Sequence, residues 1–241
     1  MTHAIAIDGM SGVGKSTIAK VLAKRLGINY LDTGAMYRAL AFSAHNDGIP
    51  FTDEDLVADW LPRSGLEIEL DKDRQKTLIH GQDVSNLIRS AEMSRLSSAI
   101  SALPPVRYYC VEMQRALADE RPLVLDGRDI GSFVLPAADF KFYLEADAEV
   151  RARRRWRQTQ ETTQGSTAQT FEQILAEMLK RDQNDSSRKL APAMAAPDSI
   201  IINTNTMTVE EVLTHILDLM RIKAASDKKI NQFWSPYLVA G

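Results

Sequence analysis

Residues 4–16 read AIAIDGMSGVGKS, and this stretch decides the fold. Its first part, Ala4 to Ile7, is a short apolar run closed by Asp8 and Gly9, which predicts a buried strand. Its second part, Gly9 to Ser16, is a full match to G-x-x-x-x-G-K-[ST]. The following STIAKVLAKRLG sets Ile18, Val21, Leu22 and Leu26 at helical spacing, with Gly27 as a C-cap. Strand before and helix after form the context in which this motif cradles phosphate. Gly9, Gly12 and Gly14 remove Cβ atoms, so backbone N–H groups can converge on phosphate oxygens. The helix N-terminus adds partial positive charge. Lys15 reaches the β- and γ-phosphates, and the Ser16 hydroxyl is placed for Mg²⁺. The loop therefore implies a nucleoside triphosphate, but it leaves the second substrate open.

Working outward, INYLD is a second strand candidate and Ala35 to Ala44 a helix. Strand, turn, helix and strand in alternation predict an α/β fold with a parallel sheet. From Pro50 to Ser90 turn signals at Pro50, Pro62–Gly65 and His80–Asp83 separate β-like runs, LEIEL and KTLIHG, so a small strand-containing insertion is expected. Helix dominates from Ala91 to Leu117, restarted by Pro104-Pro105. LVLD, FKFYLEAD and SIIIN are further strands. Ala148 to Gln160 and a segment ending at Lys180 are helices, joined by the polar linker TTQGSTAQT. RDQNDSSRKLAP reads as irregular. Thr208 caps a last helix with Glu210 and Glu211 in its first turn. The final SDKKINQFWSPYLVAG shows no pattern, and its aromatic residues suggest docking on the chain's own surface, with disorder or a partner contact as the alternatives.

Composition narrows the function classes. The chain has 241 residues, 44% hydrophobic and 25% charged, which excludes a mostly disordered protein. Lysine and arginine number 29 against 32 acidic residues, a formal charge of −3, which argues against a nucleic-acid coat. The single cysteine, Cys110, fits a reducing compartment. No zinc spacing, membrane-length apolar run or signal peptide is read, so the expected location is the cytoplasm.

Three further constellations point to the acceptor. LDTGAMYR, Leu31 to Arg38, follows a strand candidate, and ligands of open α/β sheets bind at strand carboxyl ends. Thr33 and Arg38 then face the phosphate-loop crevice, and Arg38 can grip a second phosphate with its planar fork. LDGRDIGSFVLP puts Asp126, Arg128 and Asp129 where a buried strand meets a loop, a costly place for charges unless paired or functional. Asp126 is a candidate to orient Mg²⁺. Arg151, Arg154 and Arg155 share a helical face, and Arg181, Asp182, Asp185 and Arg188 occupy a polar segment suited to closing over phosphates.

These segments, with GQDVSNLIR and KRDQNDSSRKLAP in the same order, resemble the bacterial cytidylate kinases over about Ile5 to Met220. The resemblance implies a single kinase domain over 1–241, with a P-loop nucleoside monophosphate kinase fold. A monophosphate-binding insertion would span about 50–97, a lid about 155–190 and a C-terminal tail about 226–241. It implies transfer of the ATP γ-phosphoryl group to CMP or dCMP, with Mg²⁺. ATP is implied at Gly9, Ser11, Gly12, Gly14, Lys15, Ser16, Thr17 and Arg154. Thr33, Arg38 and Arg128 would hold the acceptor phosphate, with Arg188 across the cleft. Ser98, Arg107 and Asp129 would read cytosine, and Arg181 and Asp185 would meet the sugar. Lys15, Arg128, Arg181 and Arg188 carry the catalytic charge in this reading, with Ser16 at the metal. The chain departs from the family pattern at Ser16, where many relatives carry glycine. A monomer that binds only small nucleotides is expected, with neither nucleic acid nor membrane as partner. The rivals are a kinase for UMP, AMP or shikimate, and a nucleotide switch or RNA binder that uses the arginine helix.

Overall fold

The computed structural model describes residues 3–71, 74–162 and 169–239. In chain order its elements are β1 (Ala4–Gly9), α1 (Lys15–Leu26), β2 (Asn29–Asp32), α2 (Thr33–Asn46), α3 (Glu54–Trp60), β3 (Leu66–Asp71), β4 (Arg74–Ile79) and β5 (Gln82–Asp83). There follow α4 (Ala91–Ile100), α5 (Pro104–Glu120), β6 (Leu123–Asp126), β7 (Phe140–Glu145), α6 (Ala148–Thr162), α7 (Phe171–Ser186), β8 (Ile200–Asn203), α8 (Val209–Ser226) and α9 (Lys228–Val239).

Five strands form a parallel sheet in the order β2-β6-β1-β7-β8. The pleat of β1 explains why helices cover both faces. Ala4 and Ala6 point into a core with α2 and α5, where small side chains let the helices approach. Ile5 and Ile7 point into a second core with α1, α8 and α9. Parallel pairing aligns the carboxyl ends of the strands, with Asp126 opposite both Ile7 and Asp32, and Gly9 opposite Leu144. Every candidate loop therefore leaves the same edge of the sheet.

The expected insertion contains an antiparallel sheet, β3-β4-β5, and also α3. That helix was absent from the sequence reading. It is short, yet Asp53 caps it by accepting from the Leu56 N–H, and Glu54 and Asp55 favour its positive end. The α6–α7 hairpin carries its own small core of Ala152, Ile174 and Met178. Most of the expected polar linker, residues 163–168, lies outside the described residues. Two segments read as irregular are helical. Arg181 to Ser186 continues α7, and much of the tail is α9. No described helix is long and apolar enough to cross a membrane.

Candidate active site

The phosphate loop is held open by geometry that only glycine fits. At Gly9, φ is +144°, and a Cβ would lie 2.3 Å from the Leu144 carbonyl oxygen across the β1–β7 pairing. At Gly12, φ is +76°, and a Cβ would meet Met178 Cε at 2.7 Å, because α7 presses on the loop. Gly14 is the N-cap of α1, so Lys15, Ser16 and Thr17 form the first turn, where N–H groups have no helical acceptor. Ser16 and Thr17 are exposed there and Lys15 is buried.

Lys15 Nζ donates to the Met10 carbonyl at 2.7 Å. Burial, then repulsion from Arg128, pulls its ammonium well below the usual lysine range, against the attraction of Asp126. The Ser16 hydroxyl donates to Asp126 Oδ2 at 2.6 Å. Burial and the neighbouring Asp32 raise the Asp126 carboxyl, and hydrogen bonds from Ser16 and Tyr30 oppose them. Burial likewise pushes Asp8 up to about 7, against two backbone N–H groups, Ile130 and Gly131, that bond its carboxylate. Through those bonds Asp8 fixes the turn that carries Arg128 and Asp129.

Two loop supports escaped the sequence reading. Arg151 Nη1 donates to the Ser11 carbonyl at 2.9 Å and to Asp182 Oδ2 at 2.5 Å. Asp182 Oδ1 accepts from the Ser11 N–H at 3.3 Å. The pair therefore grips both backbone groups of Ser11, from α6 and α7. The sequence singles out both residues, Arg151 on a helix and Asp182 in a segment read as irregular, but nothing in it joins them to the loop. Arg154 sits beside them, half-buried, reaching the Val13 carbonyl at 3.4 Å and the Thr204 hydroxyl and carbonyl at 3.2 and 2.5 Å. Its guanidinium thus clasps the loop to the segment after β8. Arg155, expected on the same face, is exposed.

On the acceptor side, α2 begins at Thr33 rather than Ala35, because Asp32 caps it by accepting from the Ala35 N–H at 2.9 Å. Asp32 also pairs with Arg38 at 2.9 Å. The buried Thr33 hydroxyl donates to the Asp126 carbonyl at 2.7 Å, so it would have to give up this bond to donate to a phosphate. Asp185, expected at a sugar hydroxyl, is a hub for cations. It accepts from Arg128 Nε at 3.1 Å and from Arg188, with Arg181 3.9 Å away. These arginines hold its carboxyl below the usual range despite burial. Arg181 is brought down to about 10 by burial and by repulsion from Arg128. Arg107 and Asp129, expected to read a base, pair with each other while buried.

The pattern of missing partners is informative. Among the described residues, the buried side-chain atoms without a hydrogen-bond partner include Arg38 Nε, Ser98 Oγ, Arg107 Nε, Arg181 Nε and Arg188 Nε. The remainder belong to Ser64 and Gln114. Buried polar atoms are usually paired, so these guanidinium and hydroxyl groups are left open to a polar ligand. Arg38, Arg128 and Arg188 all sit close enough to Arg181 to repel it, and Arg128 and Arg181 repel Lys15. Such crowding suits an anion bearing several charges.

A family model described as cytidylate kinase matches residues 5–222. The cytidylate kinase of Corynebacterium efficiens is 45% identical over 229 residues, covering 95% of this chain and 97% of the relative. Those of Carboxydothermus hydrogenoformans and Caldanaerobacter subterraneus subsp. tengcongensis are each 41% identical, covering 90% and 92% of this chain and 96% of each relative. With the phosphate loop and the acceptor-side arginines brought to one edge of the sheet, the chain belongs to the cytidylate kinase family.

Proposed function

We propose that the protein transfers the γ-phosphoryl group of ATP to CMP or dCMP, giving ADP and CDP or dCDP. The observation that carries this reading is the set of cations around Asp185: Arg181 and Arg188 keep unpartnered Nε atoms, and Arg128 and Arg181 lie close enough to the phosphate loop's lysine to repel it. An oxygen of the acceptor phosphate attacks the γ-phosphorus, and the bond to the β,γ-bridging oxygen breaks. Such a transfer is loose and needs positioning and charge neutralisation more than a strong base. Lys15, Arg128, Arg181 and Arg188 stabilise the charge that spreads over the transferred group. Arg38 and Arg128 orient the acceptor phosphate. The α6–α7 hairpin serves as the lid, and the β3–β5 sheet with α3 and α4 as the monophosphate-binding insertion.

Ser16 and Asp126 fit Mg²⁺. They are hard oxygen donors 2.6 Å apart at a helix N-terminus. Among the described residues no group of three or more His, Cys, Asp or Glu could hold a metal alone. One carboxylate and one hydroxyl suit a cation that arrives with phosphates and keeps water. When bound, the cation neutralises phosphate charge.

Cytosine offers an amino donor beside two acceptors. Asp129 gives one oxygen to Arg107, yet a carboxylate has capacity for a further donor. Arg107 Nε and Ser98 Oγ supply the remaining polar contacts. Uracil presents an acceptor to Asp129, and each mispaired buried group costs about 1–3 kcal/mol, or about 5- to 150-fold. The deciding experiment is coupled ADP release with ATP and Mg²⁺ against CMP, dCMP, UMP and AMP. Strongest turnover with CMP and dCMP supports the reading. Equal kcat/KM for CMP and UMP removes the base assignment, and no acceptor-dependent turnover removes the kinase.

A further inference from the structure

Asp126 accepts a second hydrogen bond that the sequence did not announce. The Tyr30 hydroxyl donates to Asp126 Oδ1 at 2.7 Å, while Ser16 holds Oδ2 at 2.6 Å. The sheet makes this contact possible. In the β2–β6 pairing Tyr30 lies opposite Val124 and Asp32 opposite Asp126. Tyr30 and Asp126 are therefore diagonal neighbours on one face, a separation that only a long side chain spans. Lys20 Nζ lies over the Tyr30 ring, 5.6 Å from its centroid, and steadies it.

We infer that Tyr30 is a positioning residue that holds the Asp126 carboxylate toward Ser16 and the cation. This rests on the reading of Ser16 and Asp126 as the magnesium site. Ser16 is exposed and belongs to the phosphate loop, so its hydroxyl is free to turn toward a cation. Doing so ends the bond to Oδ2. Asp32, in register beside Asp126, repels the carboxylate, and the Tyr30 O–H then remains the bond that fixes its rotamer. Partners of this kind typically affect metal affinity 10- to 100-fold on removal, because they orient the ligand.

The test titrates Mg²⁺ into the protein bound to mant-ATP, a fluorescent ATP analogue, and separately measures mant-ATP affinity in EDTA. Tyr30→Phe keeps the ring and removes the hydroxyl. The expected result is an Mg²⁺ midpoint raised about tenfold or more, with metal-free affinity within about twofold of the parent. An unchanged midpoint, or equal weakening with and without metal, overturns the proposal. A merely structural role would weaken both. Asp126→Asn separates the two layers. If it shifts the midpoint and Tyr30→Phe does not, the positioning role alone fails. If neither shifts it, the metal site fails as well. Should Tyr30→Phe not fold, Tyr30→Leu carries the same readout.

Discussion

The Asp129 carboxylate and the Arg107 guanidinium form an ion pair sealed inside the acceptor side, their side chains 7% and 1% exposed. Arg107 also donates to the Ser101 carbonyl at 3.3 Å. It lies over the rings of Tyr37 and Phe133, 5.7 and 5.9 Å from their centroids. The guanidinium is thus fixed at its edges by acceptors and on its faces by aromatic rings.

Breaking a buried pair leaves an uncompensated charge, whereas replacing both partners by apolar groups is often neutral. Arg107→Met or Asp129→Leu alone should therefore lower stability by about 3–5 kcal/mol and also reduce kcat/KM for CMP. The double variant should regain at least half of the lost stability but not the CMP turnover. Denaturant unfolding and acceptor kinetics on the three variants check this. Recovery of turnover in the double variant would show that the pair supports the fold and does not read the base.

This pair also shows where sequence reading runs out. The phosphate loop was legible because its requirements are local, such as the backbone of Gly9 and the helix start at Gly14. The strand Leu123–Asp126 and the Thr208 cap were legible for the same reason. Arg107, read alone, is an ordinary surface arginine on α5. It is buried because α5 packs on the sheet beside the turn that follows β6, a contact between segments distant in sequence. The Arg151–Asp182 grip on Ser11 depends likewise on the α6–α7 hairpin folding over the loop. The α9 helix was missed for a different reason. Ile230, Phe233, Trp234, Tyr237 and Leu238 do recur at helical spacing, but Pro236 interrupts the run.

Lys15 supplies the second prediction. Its charge is buried and crowded by Arg128 and Arg181, so the ammonium form is costly in the free protein. Lys15→Met should therefore keep or raise the melting temperature. In the proposed transfer this charge serves the transferred group, so kcat should also fall by orders of magnitude. Thermal unfolding alongside kcat at saturating ATP and CMP decides the matter. A normal kcat would remove Lys15 from the catalytic set.

The third prediction concerns the far end of the sheet. Trp234 of α9 is fully buried, and its Nε1–H donates to Asp139 Oδ2 at 2.7 Å. His3 Nδ1 donates to the same oxygen at 2.9 Å, and the His3 ring stacks on Phe233 at 3.4 Å. Asp139 just precedes β7 and His3 just precedes β1, so α9 joins the amino ends of two central strands. The phosphate loop leaves their carboxyl ends. Trp234→Ala should cost about 3–5 kcal/mol of stability, and deletion after Lys229 should cost more. Both should leave KM for ATP and CMP unchanged, because nothing at the loop edge is touched. Denaturant unfolding, steady-state kinetics and solution mass on both variants test this. An unaltered unfolding midpoint would show that α9 lies on the core without supporting it, and a changed mass would assign the helix to an interface instead.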